Sequence, residues 1–324
     1  MLILAGDVGG TSTRLAFFRV KDGALLALAE SHYPSAQYQT LYQIVARFTA
    51  EHRLTPERAC FGIAGPILEG TVETPNLPWH IDGALLAREL GLPRVLLVND
   101  LAANTYGIAA LKEEDLLVLN PGNPDPTGTI AVVSAGTGLG ESLAYWDGQR
   151  HRPLPSEAGH ADFAPRSDEE AELLHYLTGE FGRVSYERVI SGPGLVNIYR
   201  FLCERRYADE EPSVAAALSQ GDPAPVITSA ALSGSSPLCA RALEIFVAVY
   251  GAECGNAALR FLATGGVYLG GGIAPRILPK LKEPIFLYAF RTKGRLGDLL
   301  ATIPVKVILN DRTALLGAAC AALV

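Results

Sequence analysis

The stretch Leu4-Ala5-Gly6-Asp7-Val8-Gly9-Gly10-Thr11 runs on through Arg14-Leu15-Ala16-Phe17-Phe18 to Asp22-Gly23. It reads as strand, glycine-rich turn, strand and hairpin turn. The same order returns later in the chain. Residues 130–134 lead into Ala135-Gly136-Thr137-Gly138-Leu139-Gly140, then Ser142-Leu143-Ala144-Tyr145-Trp146, then Asp147-Gly148. One such unit would be an ordinary hairpin. Two at domain spacing predict a duplicated fold with a cleft between the halves. The chain has 324 residues, 49% of them hydrophobic, which is enough for two cores.

Around the first copy the pattern predicts an α/β domain with a mixed sheet. Residues 2–6, 13–20 and 24–29 read as strands. Gln39, Leu41, Ile44, Val45 and Phe48 fall at helical spacing, and Pro56 closes that helix. Buried strands are expected at 59–64 and 95–99, with a helix at 83–90 ended by Gly91 and Pro93. After the second copy, residues 167–262 read as mainly helical. They open on Ser167-Asp168-Glu169-Glu170, a cap followed by acids in the first turn, and include a long apolar helix over 240–262. Val267-Tyr268-Leu269 is a strand running into Gly270-Gly271-Gly272. A final alanine-rich helix, capped by Asp311, ends at Val324.

A net charge of −7 supplies no basic field for nucleic acid or an anionic membrane surface. The five cysteines (Cys60, Cys203, Cys239, Cys254, Cys320) are scattered, without a C-x-x-C pair, as in a reduced compartment. The first residues lack the basic, then apolar, pattern of a signal peptide. No stretch comes near ~18 uncharged apolar residues, so no membrane span is expected. These features predict a soluble, cytoplasmic, two-domain protein.

Glycine-rich turns at 9–10, 136–140 and 270–272 let backbone amides approach an anion. None has the spacing of a P-loop or of the dinucleotide fingerprint, and a strand, not a helix, follows Gly140. A phosphate site would then be made of two hairpins. Asp7, at the end of the first strand, is placed to hold Mg²⁺ directly or through water, as phosphoryl transfer requires. Asn99-Asp100 ends the strand at 95–99, where α/β sheets present ligand-binding groups. There Asp100 can take a proton from an attacking hydroxyl while Asn99 fixes the same substrate, or Asp100 can simply cap the next helix. Glu157 and His160 fall in a loop after Pro153 and Pro155. They suit a general base, a metal ligand or hydrogen bonds to a polyhydroxylated molecule. Glu187, beside Arg188, says nothing alone.

Taken together these residues are similar to a known family. Gly6-Asp7-Val8-Gly9-Gly10-Thr11 with Arg14-Leu15-Ala16 resembles the phosphate-1 hairpin of the actin/hexokinase/Hsp70 ATPase superfamily. Leu97-Val98-Asn99-Asp100 resembles the catalytic strand of bacterial glucokinases, and Ala135-Gly136-Thr137-Gly138-Leu139-Gly140 their phosphate-2 turn. Residues 155–165 and 186–197 resemble segments specific to that branch, and Gly270-Gly271-Gly272-Ile273 its adenosine motif. The likeness runs through nearly the whole chain.

The resemblance implies a two-domain actin-like ATPase fold, a duplicated ribonuclease H-like architecture. It implies a small domain of residues 1–110 plus 311–324, a large one of 111–310, and closure on sugar binding. It implies ATP:glucose 6-phosphotransferase activity with Asp100 as general base, and Asn99, Asp100, Glu157, His160 and Glu187 on the sugar hydroxyls. Gly6, Asp7, Val8, Gly9, Gly10, Thr11, Gly136, Thr137 and Gly138 would cradle the ATP phosphates. Gly271 and Gly272 would lie against adenosine, and Asp7 would help hold Mg²⁺. A homodimer is the family's usual state. Ser12 stands where the family usually has Asn, and the cysteine-rich zinc motif of the related repressor branch is missing. Other hexoses (mannose, glucosamine, an N-acetylhexosamine) remain open as substrates. A sugar sensor without activity and an ATPase acting on proteins are further alternatives.

Overall fold

Strand β1 (Leu2–Val8) alternates its apolar side chains between two faces, and both faces find cover. It pairs antiparallel with β2 (Ser12–Lys21), which returns through Asp22 and Gly23, at φ 52° and 79°, into β3 (Ala24–Pro34). The positive φ values are those of a two-residue hairpin turn whose twist matches the strands. Next come α1 (Leu41–His52), β4 (Arg58–Ile63), a small hairpin of β5 (Thr71–Glu73) and β6 (His80–Asp82), α2 (Gly83–Leu90), β7 (Val95–Asn99) and α3 (Asp100–Gly107). The sheet order is β3-β2-β1-β4-β7, with β1, β4 and β7 parallel. Leu4, Leu15, Phe17 and Phe61 pack on one face against Ile44, Val45 and Phe48 of α1.

This computed structural model describes residues 1–74 and 77–324. They form two compact units: Met1–Asp115 with Arg152–Pro155 and Asn310–Val324, and Leu116–His151 with Ser156–Leu309. The second face of the smaller unit's sheet (Ile3, Ala5, Ala16, Phe18, Cys60) is covered by Leu315, Ala318 and Ala319 of the last helix, α12 (Thr313–Ala321). Helices α3 and α12 meet backbone to backbone. A Cβ at Gly107 would overlap the Thr313 carbonyl, and one at Gly317 the Ala103 carbonyl. Asp311, expected as the cap of α12, does not cap it. Arg312 holds the N-cap position with no side-chain cap bond, and Asp311 Oδ2 accepts from Arg14 Nη2 at 3.1 Å. A guanidinium is the stronger claimant on that carboxylate.

The larger unit contains β8 (Leu116–Asn120), β9 (Ile130–Ala135) and β10 (Leu139–Trp146), followed along the chain by β11 (His151–Pro155). Then come α4 (Asp168–Phe181), α5 (Gly192–Glu204), α6 (Pro212–Leu218), α7 (Pro223–Ser233) and α8 (Pro237–Phe261). After β12 (Gly266–Gly270) lie α9 (Leu278–Leu281), α10 (Pro284–Arg291), α11 (Gly297–Thr302) and β13 (Val305–Ile308). Its sheet runs β10-β9-β12-β13-β8. The first pair is antiparallel and the next two are parallel, as in β2-β1-β4-β7. The duplication expected from the two glycine hairpins is therefore carried by the strands themselves. Among the described residues α8 is the one helix long and apolar enough to cross a membrane by length and composition, which the sequence reading did not expect. Of its most apolar window 78% is buried, and the Tyr250 hydroxyl on it donates to the Val133 carbonyl of β9 at 2.9 Å. It is the core helix of the larger unit.

Candidate active site

In the smaller unit, Gly6, Asp7 and Val8 belong to the sheet ladder, and only Gly9, Gly10 and Thr11 stand in the turn itself. The Gly9 N–H donates to the Ser12 carbonyl at 3.0 Å. Ser35, which sequence reasoning passed over, braces this turn. Its Oγ donates to the Gly9 carbonyl at 2.8 Å, its N–H donates to the Thr11 carbonyl at 3.1 Å, and its hydroxyl meets Thr13 Oγ1 at 3.0 Å. Ser12 is exposed and contributes its carbonyl, so the backbone turn forms without the Asn usual there.

Asp7 pairs with Arg14 across β2 and with Gly62 across β4. Burial and the negative charge of Asp100 push its carboxyl up to about 6, against the opposing pull of Arg14 and His32. Asp100 opens α3, but Asn99 is the residue that caps it. Asn99 Oδ1 accepts from Leu101 N–H at 3.0 Å and Ala102 N–H at 3.3 Å, and its Nδ2 donates to the Gly65 carbonyl at 3.2 Å. Asn99 thus has both ends of its amide on the backbone. Asp100 is released from the capping role and keeps one contact there, from Leu101 N–H to Oδ1 at 2.9 Å. Burial raises its carboxyl above the ordinary range, with the Leu101 N–H and the Asn99 side chain working against the shift.

In the larger unit, Gly136 N–H donates to the Gly138 carbonyl at 2.8 Å, and the Gly136 carbonyl accepts from Gly192 N–H at 2.8 Å. The second glycine turn is thereby tied to the first residue of α5. The next amide, Leu139 N–H, donates to Glu187 Oε2 at 3.0 Å. A Cβ at Gly138 would stand 2.5 Å from that same oxygen, so glycine is what lets the carboxylate in. Glu187 Oε1 lies 3.8 Å from His160 Nδ1. The short helical turn Ala158–His160 rests on the Leu139 carbonyl through Gly159, and exposed Glu157 precedes it. His160, Glu187 and the turn at 136–139 are brought together, three segments far apart in sequence. Gly271, at φ 79°, sits where any side chain would overlap the Ala135 carbonyl, and Ile273 N–H donates to that carbonyl at 3.2 Å. The 270–272 turn therefore folds over the end of β9, beside the phosphate-type turn.

A cavity of about 1070 Å³ opens here, with Gly136, Thr137, Gly192 and Gly272 on its wall and Arg200 and Arg276 beside them. The first turns of α5, capped by Ser191, and of α7, capped by Asp222, face it. Two helix N-termini and two guanidiniums make it suited to a polyanion. Among the described residues no cluster of three or more His, Cys, Asp or Glu is arranged to hold a metal ion.

A family model described as Glucokinase matches residues 4–324. The chain is similar to a glucokinase of Nostoc sp. (strain PCC 7120 / SAG 25.82 / UTEX 2576), at 44% identity over 99% of each chain. It is similar in structure to a glucokinase from an Antarctic psychrotroph, with a TM-score of 0.88, 30% identity and coverage of 99% of this chain and 98% of that one. A ROK family glucokinase from Streptomyces griseus, solved with glucose and AMPPNP, shares the fold at a TM-score of 0.66 and 20% identity, covering 100% of this chain and 99% of that one.

Proposed function

The chain belongs to the glucokinase family, and from that premise we propose that it transfers the γ-phosphoryl group of ATP to the 6-hydroxyl of glucose. One observation carries the proposal: a carboxylate suited to sugar hydroxyls, Glu187, is hydrogen-bonded to the amide after the second glycine turn. A sugar-binding group in contact with a phosphate cradle is what phosphoryl transfer to a hydroxyl requires, because the reaction is governed by positioning and by charge stabilisation.

Asp100 accepts the proton of the 6-hydroxyl as the new O–P bond forms and the bond from the γ-phosphorus to the β-phosphate oxygen breaks, releasing ADP. Its raised carboxyl makes it a better base than an exposed aspartate. Glu187, His160, Glu157 and Asn99 bond the remaining hydroxyls, and a site that bonds each hydroxyl rejects sugars lacking one. The turns at 9–11 and 136–138 hold the phosphates with backbone amides, and the cavity beside Gly272 takes the nucleoside. Mg²⁺ fits the smaller unit's donors. Asp7 and Asp100 are neighbouring carboxylates whose mutual repulsion a divalent ion would relieve, and Mg²⁺ is commonly held by one or two carboxylates with phosphates and water. Asp7 would hold it, through water, and the ion would neutralise charge building on the phosphates. We assign the protein to the cytoplasm and, from the family's usual state, to a homodimer, whose mass light scattering on a sizing column tests.

The deciding assay follows ADP release with ATP and Mg²⁺ across a panel of hexoses. Glucose-dependent turnover supports the proposal. A preference for another hexose keeps the chemistry and changes the substrate. Glucose binding without turnover on any sugar would leave a sensor of the same fold.

A further inference from the structure

Tyr186, one residue before Glu187, is 3% exposed, and its hydroxyl accepts a hydrogen bond from Asn256 Nδ2 on α8 at 3.0 Å. Asn256 is itself held from two sides. Its Nδ2 also donates to Glu253 Oε2 at 2.8 Å, and its Oδ1 accepts from Lys293 Nζ at 2.5 Å. Glu253 is fully buried and is met by Arg260 Nη1 at 2.5 Å. The same nitrogen lies 3.7 Å from Glu141 Oε2 on β10. Buried ion clusters of this kind are weak sources of stability, since apolar side chains of similar volume do as well or better. What they do supply is a fixed geometry.

The other side of Tyr186 faces the sugar-site loops. Its ring meets Phe163 edge-on at 5.7 Å between centroids. Its N–H donates to the Ala161 carbonyl at 2.9 Å, and its carbonyl accepts from Ile190 N–H at 2.7 Å. One buried residue, through its side chain and its backbone, therefore joins α8 to the segment bearing His160 and to the turn bearing Glu187. We infer that the Tyr186–Asn256 hydrogen bond, braced by Glu253, Arg260 and Lys293, positions Glu187 and His160 for the sugar. Tyr186 and Asn256 are positioning residues, and this inference rests on the assignment of Glu187 to the sugar.

The test compares Tyr186→Phe, Asn256→Ala and Glu187→Gln by steady-state kinetics, glucose calorimetry and thermal melting. Tyr186→Phe keeps the ring and removes only the hydroxyl, so it tests the bond even if Asn256→Ala fails to fold. The expected result is a rise of about five- to tenfold in KM and Kd for glucose, the size of one hydrogen bond, with KM for ATP within about twofold of the parent. A lower Tm with unchanged glucose KM and Kd would make the cluster structural only and overturn the inference. So would equal losses toward glucose and ATP. If Glu187→Gln also leaves glucose affinity unchanged, the assignment of Glu187 itself fails. If Glu187→Gln alone weakens glucose, only the positioning role is lost.

Discussion

The glycine turns at 9–10 and 136–138 sit on strands of the same order and orientation, yet they lean on different things. The first is braced by a neutral hydroxyl, Ser35, at the far end of its own sheet's third strand. The amide after the second is taken by Glu187, a carboxylate 48 residues away that also faces His160. A repeated backbone does not dictate what supports it. The first turn is braced without Glu187 or His160, whereas a side chain at Gly138 of the second would meet Glu187 directly.

The largest effect should come from the smaller unit, which carries the proposed base, Asp100. Asp100→Asn is expected to lower kcat by about 10²- to 10⁴-fold while calorimetry still shows glucose binding. Turnover near the parent's would move the base elsewhere. Gly138→Ala should raise KM for glucose by about tenfold, because its methyl would displace the Glu187 carboxylate. Gly136→Ala, whose Cβ meets nothing within 4 Å, is the matched control and should leave glucose KM within about twofold. Equal effects from the two would show that the contact between Gly138 and Glu187 does not set glucose affinity.

A stability measurement separates the hairpins further. Burial, and next the Glu253 carboxylate, hold the Glu141 carboxyl of β10 up at about 8, with Arg260 opposing. The ordinary value is 4.5, so the folded chain keeps a proton that the unfolded chain sheds. Stability from this group is complete below about 4.5 and lost as pH rises through 8. Glu141→Gln stays neutral throughout, so its Tm should gain several degrees on the parent's between pH 6 and 9. Parallel melting curves across that range would show that Glu141 is not protonated. The smallest effect is expected from Ser35→Ala. Losing one brace of the first turn should raise KM for ATP by about three- to fivefold and leave glucose KM alone.

Much of this was readable locally. The glycine turns, the Asp22-Gly23 hairpin and the Asn99-Asp100 strand end depend on residues within a few positions of one another, and they announce themselves in the sequence. Which of two adjacent Asx residues caps α3 was not readable. Both types cap helices, and only the backbone at Asn99, with φ −60° and ψ 145°, gives it the role. β13 was missed for a different reason. At four residues its Val-Lys-Val-Ile pattern is too short to separate strand from helix, and its pairing with β12 and β8 settles the matter. Ser35 and the Tyr186–Asn256 contact lie beyond any local pattern, since the latter joins residues 70 positions apart. Tyr186, which opens one of the segments resembling the glucokinase branch, would have been the one sequence signal to follow.

The close seat of α12 on α3 has a consequence for how the protein is made. The smaller unit's sheet lies within Met1–Asp115, but the helix covering its second face lies within Asn310–Val324. At about 5–20 residues per second, a ribosome delivers that helix some tens of seconds after the sheet. Until then Ile3, Ala5, Ala16 and Phe18 lack their cover, while the larger unit can collect nearly all of its own strands. Of the two units, the one whose sheet is synthesised earlier is thus completed later, its second face left open until α12 arrives.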